Sequence, residues 1–248
     1  MVVEVGNRYD IFVQKVMITA KMKVGAGLVC VLYILVQTFQ WWVFAQAPSA
    51  TPTPLEDFLF SAQPLSILRS WLMLFSMFGL FYIFFVLCLA IYQTHKAASI
   101  LALTGFFVFF LLEIILRSIE LFYTQVHLPA EYATTTDVAR REAILSFVMQ
   151  FQQIQRALYF PLGLSQTIGS FIIAGVYPTT LRYNYAIKAI MFINGLRLLL
   201  RQLTVYGGIP AFPGDLYDTL YLPLVYITFG VMAWWFFRSR STNSENVV

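Results

Sequence analysis

Apolar positions in this chain neither alternate nor fall into narrow stripes; they run in blocks. Six blocks stand out, at roughly residues 24–46, 67–92, 100–126, 157–177, 186–206 and 217–238. A hydrocarbon core about 30 Å thick needs about 20 helical residues, and each block meets that length. Barrel strands are excluded as the spanning element, because continuous apolar runs lack the required alternation. Between the blocks lie segments with turn chemistry: PSATPTP at 48–54, HLP at 127–129, YPTT at 177–180 and GGIPAFPGD at 207–215. No internal repeat is visible. The pattern predicts an all-α, polytopic membrane helix bundle with six transmembrane helices, forming one integral membrane domain over residues 1–248.

Composition agrees with this reading. Of 248 residues, 59% are hydrophobic and 11% charged, where a soluble domain carries about 25% charged residues. The position of the charges adds an orientation. Nine Lys/Arg (Arg8, Lys15, Lys21, Lys23, Lys96, Arg182, Lys188, Arg238, Arg240) flank one set of block ends, and two (Arg140, Arg141) flank the other. The bias predicts both termini in the cytoplasm, in a cell membrane. Residues 8–20 place Ile11, Phe12 and Val16 opposite Arg8 and Lys15, the pattern of a short interfacial helix. KVMITAKMK followed by an apolar run and AQA at 45–47 imitates a secretory leader. That run is about twenty residues long and carries Trp41 and Trp42, which suits a retained span with a headgroup anchor.

Several chemistries drop out. No basic run is long enough for nucleic acid. Cys30 and Cys88 sit apart inside apolar blocks and read as buried thiols. His95 and His127 both fall between blocks, so neither haem held between helices nor a His-based metal site is expected, and no cofactor is implied. Glu113-x-x-x-Arg117 matches part of the E-E-x-x-x-R motif of the CAAX-protease and bacteriocin-processing membrane enzymes. Leu112 stands where that family has its first glutamate, and no later block carries a histidine, so its chemistry does not transfer. No catalytic residue is assigned.

The informative stretch is LLEIILRSIELF at 111–122. Glu113, Arg117 and Glu120 are spaced i, i+4, i+7 and share one helix face. A charge at mid-bilayer costs about 2.5–3.5 kcal/mol, so this face must turn into the bundle. Arg117 can neutralise one acid, and the other needs a partner elsewhere. The fifth block supplies Asn194, Arg197 and Arg201 on one face. Counted from starts near 100 and 184, Glu113 and Arg197 are both thirteen residues in, and Arg117 and Arg201 both seventeen. That is a rise of roughly 20–25 Å, in the outer half of the membrane. The fourth block adds a polar stripe of Gln152, Gln155, Arg156, Tyr159, Gly163 and Gln166, with Pro161 within it. Arg69, Asp215, Asp218 and Tyr221 stand at the same level.

Five arginines against two intramembrane glutamates, an imbalance that the rim acids Asp215 and Asp218 narrow without cancelling, leave a guanidinium surplus suited to a carboxylate or phosphate. The leading expectation is therefore an outward-facing pocket that binds or transports a small anionic or amphiphilic molecule. Its ligand-binding residues would be Glu113, Arg117, Glu120, Gln152, Arg156, Asn194, Arg197 and Arg201. Three readings compete. The pairs can serve packing alone, with Arg69 and Arg156 snorkelling into headgroups. The charged faces can dock a membrane-protein partner or a second copy of the chain, as an accessory subunit would. A lipid-active membrane enzyme can use Glu113 or Glu120 as general base, although no nucleophile or metal cluster accompanies them.

Overall fold

A computed structural model describes residues 18–47, 53–179, 181–208 and 214–239, with side chains of the last segment described from residue 219. The interfacial helix expected over 8–20 lies almost wholly outside the described residues, as do the side chains of Asp215 and Asp218. The chain is built from helices α1 (Ala20–Phe44), α2 (Pro54–Ser61), α3 (Pro64–Tyr92) and α4 (Lys96–Ser118). A π-helical stretch (Ile119–His127) carries α4 directly into α5 (Leu128–Thr134). The chain ends in α6 (Val138–Val176), α7 (Asn184–Tyr206) and α8 (Gly214–Arg238). No strand occurs among the described residues.

Five stretches are long and apolar enough to cross a membrane: Ala20–Phe44, Pro64–Tyr92, Lys96–Thr134, Val138–Val176 and Thr219–Arg238. Helix α7, which carries Lys188, Arg197 and Arg201, is not among them. It is nonetheless a full member of the bundle. Helix α1 packs on α3 and α8, α4 packs on α3 and α6, and α7 packs on α6 and α8. Those six contacts close the six long helices into a ring. The outward surface is apolar: Leu32, Leu35, Phe75, Phe78, Leu101 and Ile227 are each more than half exposed. Water would oppose so large an apolar surface, whereas acyl chains would not.

Aromatic and aliphatic packing fills the half of the ring near the α3–α4 turn. Phe84 stacks on Phe106 at 4.3 Å, and Ile83, Leu87, Ile91 and Phe236 are fully buried around them. Polar clamps tie the helix ends at this level. Lys23 Nζ donates to the Ser239 carbonyl at 2.9 Å, and Trp235 Nε1 donates to Asn184 Oδ1 at 3.0 Å. Small residues allow close approach between α4 and α6. A Cβ on Gly105 would stand 2.7 Å from the backbone carbonyl of Ser165.

At the opposite end two helices overrun the bilayer thickness. Helix α6 and the α4–π–α5 rod each comprise 39 residues, about 58 Å at 1.5 Å per residue. The HLP turn expected at 127–129 is not a turn. The π stretch runs straight into α5, and Pro129 sits in the first turn of α5, where no N–H is required. The reversal comes at Thr135–Asp137, where Asp137 Oδ1 accepts from the Ala139 amide and starts α6 well before residue 157. The sequence reading also missed α2. Its Thr53 and Glu56 form a reciprocal capping box around Pro54. Phe58 of α2 packs with Leu128 and Ile144 in a second small core. Helix α2 thus becomes a cap over the open end of the ring.

Gly105→Ala should cost about 1–3 kcal/mol, because the opposing atom is backbone and cannot rotate away. Gly175→Ala, where an added Cβ meets nothing within 4 Å, should stay within about 0.5 kcal/mol of the parent. Denaturation midpoints in detergent check the pair, and equal effects would refute the close α4–α6 contact.

Candidate functional site

Beneath the α2 cap, four charged side chains form a chain of ion pairs. Arg117 is its centre. Its Nη2 and Nε donate to Glu113 Oε1 at 2.9 and 3.1 Å, and its Nη1 donates to Glu120 Oε2 at 3.0 Å. The i+4 and i+3 spacings place both acids against one planar fork. Arg69 Nη2 of α3 then reaches Glu120 Oε1 at 3.3 Å and brings a cation to Glu120 from another helix. Arg69 does not snorkel outward: it is buried, its guanidinium lies 4.5 Å from the Phe44 ring, and it also donates to Ser70 Oγ.

The π stretch shapes this chain of charges. Its i+5 periodicity sets Gln125 over Glu120, and Gln125 Nε2 donates to Glu120 Oε1 at 3.4 Å. Thr124 Oγ1 donates to the Glu120 carbonyl, taking up backbone hydrogen-bonding capacity within the widened turn.

Two cavities meet at Arg117. The inner one, about 300 Å³, is lined by all six long helices. One wall, from α3 and α8, is apolar (Met77, Leu80, Phe84, Val225, Phe229). The other carries Glu113 and Arg117 from α4, Tyr159 and Gln166 from α6, and Asn194, Arg197 and Arg201 from α7. Asn194 is buried between two helices, its Nδ2 donating to Ser170 Oγ at 3.0 Å and its Oδ1 accepting from Arg197 Nη2 at 3.2 Å. The Arg201 guanidinium lies 5.7 Å from the Tyr159 ring. Gln202 lies so close over Gly163 that a Cβ there would overlap its amide, and Gln202 Nε2 donates to the Tyr159 carbonyl.

The outer cavity, about 340 Å³, lies between the ring and α2. Its charged lining residues are Asp57, Arg69, Arg117 and Glu120. Gln40, Arg117 and Tyr159 line both spaces and form the partition. Behind it, Gln37 is wholly buried, accepting from the Tyr221 hydroxyl at 2.9 Å and donating to Met73 Sδ at 3.4 Å.

The residues singled out from sequence are distributed as follows. Glu113, Arg117, Asn194, Arg197 and Arg201 share the inner cavity, and Arg117, Glu120 and Gln152 share the outer one. Gln152 Nε2 donates to Asp57 Oδ2 of α2 at 3.3 Å. Arg156 stands apart on the exposed side of α6 and lines neither space; its backbone carbonyl accepts the Tyr206 hydroxyl. Sequence reasoning passed over Gln40, Asp57, Ser66 and Gln125. Asp57 follows the Thr-Pro-x-Glu start of α2 and was findable once that helix was seen. The other three are uncharged, and their positions carry no signal in the sequence. No protein-family model, curated protein or solved structure matches the chain.

Arg117→Gln leaves two carboxylates facing one guanidinium, and should cost about 3–5 kcal/mol of stability. Adding Glu113→Gln leaves the Glu120–Arg69 pair in balance and should recover about 1–3 kcal/mol of that loss. Additive losses in a double-mutant cycle would show that Arg117 does not hold Glu113.

Proposed function

We propose that the chain is a six-span membrane protein with both termini cytoplasmic, which binds a small anionic or amphiphilic molecule in the outward half of the bundle. Helix α7 would be the sixth span. Its 23 residues complete the ring between α6 and α8, and its two inner arginines line the cavity rather than facing acyl chains. Orientation is supported by the bias of nine Lys/Arg against two. The ends of α1, α4, α7 and α8 that carry Lys21, Lys23, Lys96, Lys188 and Arg238 lie away from the residues that line the cavities.

The observation that carries the binding reading is the two-sided lining of the inner cavity. The guanidinium-bearing side chains Arg117, Arg197 and Arg201 gather with Glu113 on one wall, and apolar side chains form the other. Guanidinium groups in a partly dry space suit a carboxylate or phosphate, which they can hold through paired N–H donors. The facing apolar wall suits hydrocarbon. Among the described residues the opposite half is packed largely with Phe, Ile and Leu and neither cavity extends through it, so retention of a ligand is better supported than its passage through the bilayer.

Decyl phosphate supplies a suitable probe. Arg197→Gln with Arg201→Gln should weaken its binding to the purified protein in nanodiscs at least ten-fold, as about 1.4 kcal/mol per lost charge-assisted contact implies. Calorimetric titration reads this directly. Unchanged affinity, with folding intact, would end the proposal. Thiol labelling of single cysteines at Thr136 and at Thr94 tests orientation: only the first should react from outside intact cells.

A further inference from the structure

The outer cavity is chemically unlike the inner one. Its described charged residues balance, Asp57 and Glu120 against Arg69 and Arg117. It is also where buried hydrogen-bonding capacity is left over. Gln40 Oε1, Ser66 Oγ, Arg69 Nε and Gln125 Oε1 are buried polar atoms with no hydrogen-bond partner among the described residues, and all four side chains line this space. Ser66, Arg69 and Gln125 are each more than nine-tenths buried. Native interiors leave few such atoms, because each unmade bond costs free energy. Four in one cavity, offering donors and acceptors with no net charge, match an uncharged group rich in hydroxyls.

The order of chemistry along the ring axis adds a second constraint. From the α2 cap inward come the neutral polar space, then the arginines of the partition and α7, then the apolar wall reaching Phe84, Phe109 and Phe229. A molecule lying along that axis would be hydroxylated at one end, anionic in the middle and hydrocarbon at the other. Resting on the anion-binding reading above, we infer that the ligand is a single-chain amphiphile whose phosphate is esterified to a polyol, with the polyol held in the outer cavity under α2. Size agrees with one chain rather than two. An inner space of about 300 Å³ holds about ten groups of water's volume.

Three probes separate the parts: decyl phosphate, decyl phosphoglycerol, and decyl glucoside as the uncharged control, each titrated into the full chain in nanodiscs. Phosphoglycerol should bind about ten-fold or more tighter than phosphate, the gain expected when buried partners are satisfied. The glucoside should bind more weakly than either. Ser66→Ala with Gln125→Leu should erase the advantage of phosphoglycerol while leaving decyl phosphate affinity within two-fold. That second readout also shows the variant to be folded. Equal affinity for decyl phosphate and decyl phosphoglycerol would overturn this inference and leave the anion site standing. Binding of neither anion would overturn both.

Discussion

One guanidinium decides the shape of the polar end of this molecule. Arg117 spends three N–H donors on two carboxylates of its own helix and so binds both acids into one hydrogen-bonded chain. A lysine would bring the same charge as a compact point, without the planar fork that spans Glu113 and Glu120 together. Because Arg117 satisfies both acids, Arg69 need supply only the remaining oxygen of Glu120. The four groups form a neutral, hydrogen-bonded chain joining α3 to α4, which removes the cost of the four charges as a set rather than singly.

That chain of charges also divides the interior. Arg117 stands between the cavities with Gln40 and Tyr159, so the outer space is separated from the inner by a side chain that both acids hold in place. The π stretch makes this geometry available. A continuous α-helix would place residue i+4 over Glu120, whereas the wider turn brings in Gln125, and π insertions recur at sites where a helix must present polar groups. The overrun of α5 and α6 past the bilayer then gives α2 something to rest on, through Phe58, Leu128 and Ile144. The change of pitch after Ser118 thus sets Gln125 against Glu120 and leads into the rod end on which α2 rests.

Much of this arrangement was legible before any coordinates. Uninterrupted apolar blocks specify helices, and counting from helix starts brought Glu113 and Arg197 to one depth, where they line one cavity. The Arg69–Glu120 contact could have been counted too. Helices α3 and α4 are joined by only three residues, so they must be antiparallel neighbours. Arg69 lies 23 residues before Tyr92 and Glu120 lies 24 after Lys96. Other features were hidden for physical reasons. The stretch PSATPTP reads as loop, although its Thr53 and Pro54 start α2. The π stretch has no compositional mark, since Ile119–His127 would suit an α-helix equally well. Arg156 fits the helical stripe by spacing, yet the stripe's edge turns outward and takes it away from both cavities.

The asymmetry between the two ends bears on what such a protein could do. A path across a bilayer needs polar groups or water at every depth, and among the described residues the polar lining of the inner cavity ends near Asn194 and Gln166. Below that level Phe106, Phe110, Leu87 and Ile173 close the ring with almost no exposure. Opening a route would mean separating helices held by close glycine contacts at Gly105 and Gly169, where backbone and ring atoms already touch. The outer half is different. The α2 cap rests on the rod and α6 through a core of three buried residues, a far smaller apolar contact than the one that seals the inner half. Separating the cap from the ring therefore breaks far less apolar contact than separating the helices of the opposite half. On the binding reading proposed above, that distribution of contacts favours capture and holding from one face over passage between two.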